Sequence, residues 1–122
     1  MIVGQVNSER EAIVELVVIG NNNLAKTIHA VIDTGCTGFL TLSPALTLEL
    51  QLTWYMQQQG MLGDGSVRLF NVYEASIIWD GQERAIEVNE ADADCLVGMG
   101  LMEGYGPVIR NVPGGVVTLS SL

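Results

Sequence analysis

This 122-residue sequence predicts a mainly β fold with one or two short helices, and three observations carry that prediction. Apolar, β-branched runs of strand length recur along the chain, several with alternating polar positions. Turn residues (Asn, Gly, Asp and Pro) separate those runs at close intervals. Only one segment, "SPALTLELQL", opens with the signals of a helix start. With 48% hydrophobic and 16% charged residues, the chain has enough apolar material to fill a core. It shows no internal repeat, low-complexity run or linker, so residues 1–122 read as one domain.

The first two strands are "AIVELVVIG" and "AKTIHAVID", a hairpin joined by Gly20 to Asn23. In the second strand Ile28, Ala30 and Ile32 alternate with Thr27, His29 and Val31, which leaves His29 partly exposed. In "SPALTLELQL", Ser43 is placed to cap a helix and Pro44 suits its first position, giving one or two turns. Residues 53–91 read as two hairpins in series, turning at "GDG" and at "DGQ" after Trp79. The shared strand puts Val67, Leu69, Asn71, Tyr73 and Ala75 on one face and Arg68, Phe70, Val72 and Glu74 on the other. Both faces are mixed, so this long strand changes surroundings along its length. "DCLVGMGLMEGYG" is a short buried strand, a glycine break and a brief helix, and "PVIRNVPGGVVTLSSL" is a final hairpin turning at Pro113 to Gly115. Trp54, Tyr55 and Trp79 read as core or interface aromatics.

Fourteen acidic against five basic side chains give a net charge of −9, with no basic cluster. That balance excludes a nucleic-acid partner and an anionic membrane surface, both of which need a basic face. Cys36 and Cys95 do not form a CxxC, and the one histidine, His29, has no ligand-spaced partners, so no metal and no cofactor is expected. The cysteines read as buried, inert thiols. The opening "MIVGQVNSEREAIVEL" lacks a basic region followed by a long apolar one, and no apolar run approaches the ~20 residues of a membrane span. The expected location is cytoplasmic.

The chemistry concentrates in "AVIDTGCTGFLTL". Val31 and Ile32 deliver the chain from a strand to Asp33, and Thr34-Gly35 turns it. Gly35 permits a tight loop and close backbone approach, and Thr34 has a hydroxyl to hold that loop. A bare Asp-Thr-Gly is also what a turn-capping aspartate produces. Two further features accompany it: the glycine-rich tip "MLGDGSV" about 30 residues on, and "CLVGMGLM", where Leu96-Val97 lead into Gly98.

In that order these segments resemble the retropepsin-like aspartic proteases, the single-lobe relatives of pepsin, and particularly their prokaryotic members. The resemblance spans nearly the whole chain. It implies a closed, mostly antiparallel, barrel-like acid protease (retropepsin) fold that pairs with a second copy of itself. Asp33 is then the catalytic carboxylate, with its counterpart supplied by the other chain of a homodimer. Thr34 is expected to hydrogen-bond across the dimer axis and Gly35 to face the substrate. Leu62, Gly63, Asp64, Gly65 and Ser66 correspond to the flap over bound peptide, and Leu96, Val97 and Gly98 to the segment packed against the catalytic loop. The terminal strand "VVTLSSL" is expected to interleave with the partner's, as is common in the family. The activity implied is an aspartic endopeptidase acting on peptides through activated water. The alternative is a dimerisation or peptide-binding module that keeps the fold without catalysis. Cys36 departs from the Ala or Ser more familiar after Asp-Thr-Gly, and Met99-Gly100 stand where retroviral enzymes have Arg followed by Asn or Asp. Asp64 puts a carboxylate at the flap tip, where it serves the turn or disfavours acidic substrates.

Overall fold

The computed structural model describes residues 1–61 and 63–122. Strand β1 (Ile2–Val6) precedes the expected hairpin of β2 (Ala12–Ile19) and β3 (Ala25–Ile32), in which Val14 faces Ala30 and Leu16 faces Ile28. Asn22 and Asn23 turn that hairpin at φ 55° and 59°, left-handed backbone that Asn tolerates better than most side chains. Val14, Leu16, Val18, Ile28 and Ala30 are all buried, so the alternation visible in the sequence marks the core face.

A three-residue strand, β4 (Leu40–Leu42), leads into helix α1 (Pro44–Glu49). The helix starts as its sequence signals require: Ser43 Oγ accepts the Leu46 N–H at 3.3 Å, and Pro44 occupies the first turn. Strands β5 (Thr53–Met61), β6 (Val67–Trp79) and β7 (Gln82–Glu90) form the two hairpins in series. Asp80 and Gly81 make the second turn at φ 52° and 81°, the paired left-handed geometry that Asp-Gly fits. The 13-residue β6 runs from exposed residues at Val67 to buried ones at Ile77 and Trp79, the change of surroundings its mixed faces implied. Strand β8 (Leu96–Val97), helix α2 (Met99–Met102), and the hairpin of β9 (Tyr105–Ile109) and β10 (Val116–Ser121) complete the chain.

Among the described residues ten strands form one sheet, six of which close on themselves in the order β2, β3, β8, β4, β7, β6. Strand β6 returns to β2 through Ile78 opposite Val17 and Ile77 opposite Val18. Two contacts of the ring, β3–β8 and β4–β7, are parallel and the other four antiparallel. The result is the expected closed, mostly antiparallel barrel, in which each of the six ring strands is paired on both sides. Its interior is filled by Val14, Val18, Leu40, Leu42, Ile77 and Val88, with Leu101 and Met102 of α2 buried against them. Each such side chain contributes about 1.5–3 kcal/mol on burial.

Beyond the ring, β1, β10 and β9 extend from β2, and β5 extends from β6. Strand β10 pairs with β1 on one side and β9 on the other, and its Val117 and Leu119 are fully buried. Both of its edges are therefore occupied within the chain, which corrects the expectation that this strand interleaves with a partner's. The outer strand β9 carries Pro107, a residue tolerated at an edge because its missing N–H leaves no ladder bond unmade. Of the three aromatics read as core or interface, Trp79 is core at 4% exposure, whereas Trp54 and Tyr55 are exposed at 55% and 49%. They lie on the outer strand β5, where Trp54 Nε1 donates to Asn71 Oδ1 at 3.2 Å. Among the described residues no helix is long and apolar enough to cross a membrane.

Candidate active site

Asp33 follows the last residue of β3. Its backbone N–H donates to the carbonyl of Val97 at 2.9 Å, which continues the parallel β3–β8 ladder by one residue and fixes where the loop begins. The Asp33 carboxylate accepts the Gly35 N–H at 2.9 Å, and the Cys36 N–H donates to the Asp33 carbonyl at 3.2 Å. These two bonds fold residues 33–36 into a tight turn that leaves Asp33 half-buried and Thr34 and Gly35 exposed. The Thr34 hydroxyl has no hydrogen bond among the described residues, so the backbone, and not Thr34, holds the loop.

The loop is locked from behind by the segment after β8. Gly98 N–H donates to the Phe39 carbonyl at 2.9 Å, Met99 to Cys36 at 2.7 Å and Gly100 to Gly38 at 3.0 Å. Such approach requires glycine at 98: a Cβ there would stand 2.2 Å from the Gly38 carbonyl oxygen and 3.0 Å from Cys36 Sγ. Leu96 and Val97 lie between β3 and β4, with Val97 fully buried. Opposite the loop stands the β5–β6 hairpin, in which Gln58 pairs with Phe70 and Gly60 with Arg68. Between hairpin and loop lies a cavity of about 400 Å³, bounded on the loop side by Gly35 to Gly38.

No protein-family model matches the sequence. No curated protein matches it either. Solved structures do match. A retropepsin-like aspartic protease from Rickettsia conorii superposes with a TM-score of 0.59 at 16% identity, over 98% of this chain and 90% of that one. EIAV protease, solved with an inhibitor bound, superposes with a TM-score of 0.58 at 18% identity, over 80% of this chain and 89% of that one. The chain has the retropepsin fold. On that fold, the two segments singled out around Asp33 and Gly98 are the ones this structure joins by hydrogen bonds.

The remaining site residues of the retropepsin reading fall at the hairpin tip. Gly63, Asp64, Gly65 and Ser66 form the turn after β5, and Leu62 lies outside the described residues. A Cβ at Gly63 or Gly65 would meet nothing within 4 Å, so the tip stands clear of the Asp33 loop, and the hairpin's nearer half shares the cavity with that loop. The Asp64 carboxylate accepts both the N–H and the hydroxyl of Ser66, at 2.9 and 2.6 Å, and thus serves the turn.

Those bonds, the hydroxyl's first, hold the Asp64 carboxyl below its ordinary value of 3.8. A depressed carboxylate keeps its bonds above that ordinary value and loses them only as pH falls through the lowered one. The Ser66 amide resonance is therefore expected to stay constant from neutral pH to about pH 4 and to move only below it. A midpoint between pH 5 and 6 in an NMR titration of that amide contradicts the assignment.

Four residues of the cavity wall, Gln58, Phe70, Thr41 and Asn89, were not among the sequence-level candidates. The alternation of β6 does set Phe70 beside buried Val72 and hence inward. Asn89 carried no such signal, because its neighbourhood depends on the parallel β4–β7 pairing, in which Thr41 faces it. Cys36 and Cys95 are both free and half-buried. Burial first, then the Asp94 carboxylate, pushes the Cys95 thiol above its ordinary value, in keeping with an inert thiol.

Proposed function

We propose that this protein is an aspartic endopeptidase that works as a homodimer, with one Asp33 from each chain at the two-fold axis. The observation that carries this reading is the placement of Asp33. It is a half-buried carboxylate fixed by backbone bonds two residues before Gly35, where the wall of the cavity under the hairpin begins, with Thr34 and Gly35 exposed beside it. Likeness to two proteases of the same fold supports it. Each protomer contributes a single retropepsin-like unit spanning residues 1–122.

One carboxylate cannot both activate water and protonate the substrate. Two carboxylates in contact cannot both ionise comfortably, so they share a proton, the behaviour known for aspartic protease pairs. The ionised member takes a proton from a bound water while the protonated member polarises the scissile carbonyl. The water oxygen adds to the carbonyl carbon, and collapse of the resulting diol breaks the C–N bond as the amine takes a proton. The exposed Thr34 hydroxyl is free to bond across the axis, and the β5–β6 hairpin is the flap that closes over peptide and excludes water. The acidity of the chain supports a peptide substrate over nucleic acid or an anionic membrane, and its free thiols suit a reducing compartment such as the cytoplasm.

The test is a mixed peptide library incubated with the purified protein at about pH 4 to 7, read by mass spectrometry beside light-scattering mass. Cleavage by a species of twice the chain mass is the expected result. A well-formed dimer that binds peptides and cuts none moves the protein to the class of peptide-binding modules, and a strict monomer removes the mechanism.

A further inference from the structure

The cavity between flap and loop has a character of its own. On the flap side, Gln58 faces Phe70 and Gly60 faces Arg68, so the four share one face of the hairpin, of which Gln58, Gly60 and Phe70 line the cavity and Arg68 stands exposed beyond it. The Phe70 ring lies across Gly60, where a Cβ would stand 2.4 Å from Cε2. On the opposite side Asn89 projects against Gly38, its Nδ2 only 2.8 Å from where a Cβ on Gly38 would be. Thr37 and Thr41 complete the wall. Among the described residues the side chains of Thr37, Thr41, Gln58 and Asn89 have no hydrogen-bond partner, so four polar side chains converge on one space with their bonding capacity unused. Glu90 also touches the cavity, but its carboxylate accepts from Thr47 at 2.5 Å and from Asn71 at 3.2 Å, on the far face of β7.

We propose that this cavity is a specificity pocket for a substrate side chain with an apolar stem and a carbonyl head, glutamine or glutamate, at a position flanking the scissile bond. The inference rests on the endopeptidase reading for the identity of its ligand as a peptide. The stem lies against Phe70, whose ring sets the depth of the pocket. The head accepts from the Asn89 and Gln58 carboxamides and from the threonine hydroxyls. An aliphatic side chain seated there shuts Thr41 and Asn89, already buried and half-buried, away from water without a partner, which is costly. Arg68, one rung further along the flap, opposes lysine or arginine and suits a carbonyl or carboxylate. The pocket starts at Gly35, two residues past Asp33, so it holds a flanking residue and not the reacting carbonyl.

The test separates binding from catalysis. Peptides whose scissile amide is reduced to CH2–NH are made with Gln, Glu, Leu or Lys at each flanking position in turn. Their affinities for wild type, Asp33→Asn and Asn89→Ala are then measured by calorimetry. At one position Gln and Glu are expected to bind roughly five- to tenfold more tightly than Leu or Lys, as one or two neutral hydrogen bonds provide. Asp33→Asn keeps that ratio, and Asn89→Ala reduces it toward one. Gln58→Leu, a change at an exposed strand position, reduces it as well and guards against misfolding of the first variant. Tighter binding of Leu at every position, or an Asn89→Ala ratio equal to wild type, overturns the proposal. If ordinary peptides resist cleavage while the ratio persists, the endopeptidase reading fails and the pocket stands. If peptides are cut with no such preference, the reverse holds.

Discussion

Replacing Asp33 by Asn is expected to lower kcat by roughly 10²–10⁴-fold, the range a positioned acid or base contributes, while fold and mass stay unchanged. The carboxamide is nearly isosteric, and its Oδ1 still accepts the Gly35 N–H, the bond that shapes the loop at 2.9 Å. What it loses is the ability to ionise or share a proton. Far-UV circular dichroism and light scattering establish that the variant is intact, and peptide turnover gives the loss. Mixing supplies a sharper version. In a homodimer with one carboxylate from each chain, every mixed dimer is dead, so an equal blend of the two proteins retains about one quarter of the wild-type activity, as random pairing dictates. Retention of half the activity means that each chain works alone, and the shared-dyad mechanism is then wrong.

The second large effect is structural and lies behind the loop. Gly98 has extended backbone, with φ −91° and ψ 171°, so Gly98→Ala meets no torsional penalty. The whole cost is steric, because the new methyl is placed 2.2 Å from the Gly38 carbonyl oxygen. A backbone oxygen that also accepts the Gly100 N–H cannot move aside alone, so residues 36–39 shift together. The expected loss is about 2–3 kcal/mol, in the range for overpacking a closed site. That corresponds to roughly 10 °C in Tm for a chain of this size, and peptide turnover falls as the loop moves. Gly63→Ala is the control, since its Cβ would meet nothing within 4 Å, and it is expected to change stability by less than about 0.5 kcal/mol. Equal Tm for the two variants rules out the close approach described at Gly98.

Much of this was legible in the sequence because local rules and tertiary structure agree. Asn22 and Asn23, Ser43 with Pro44, and Asp80 with Gly81 each occupy the geometry that their own chemistry favours. The Asp33 turn could be read from three residues. Strands β1 and β4 could not: "IVGQV" and "LTL" are short, and they become strands through partners distant in the sequence. The cavity wall was hidden for the same reason. Thr41 and Asn89 meet through a parallel pairing across 48 residues, and no local pattern announces such a neighbour. The terminal strand was misassigned because an apolar run signals only that it will be covered. Here β1 and β9 of the same chain cover it.

That pairing of β10 has a bearing on control. With β10 paired on both sides within its own chain, the terminal strand folds without a partner, so in the proposed homodimer assembly and folding are separate equilibria. In the proposed homodimer each folded chain carries half of a catalytic pair, and mass action decides when the halves meet. Below the dissociation constant, activity per molecule then rises in proportion to concentration, and dilution switches the enzyme off without unfolding it. Local abundance would thus act as a regulator that needs no pro-segment, modification or inhibitor.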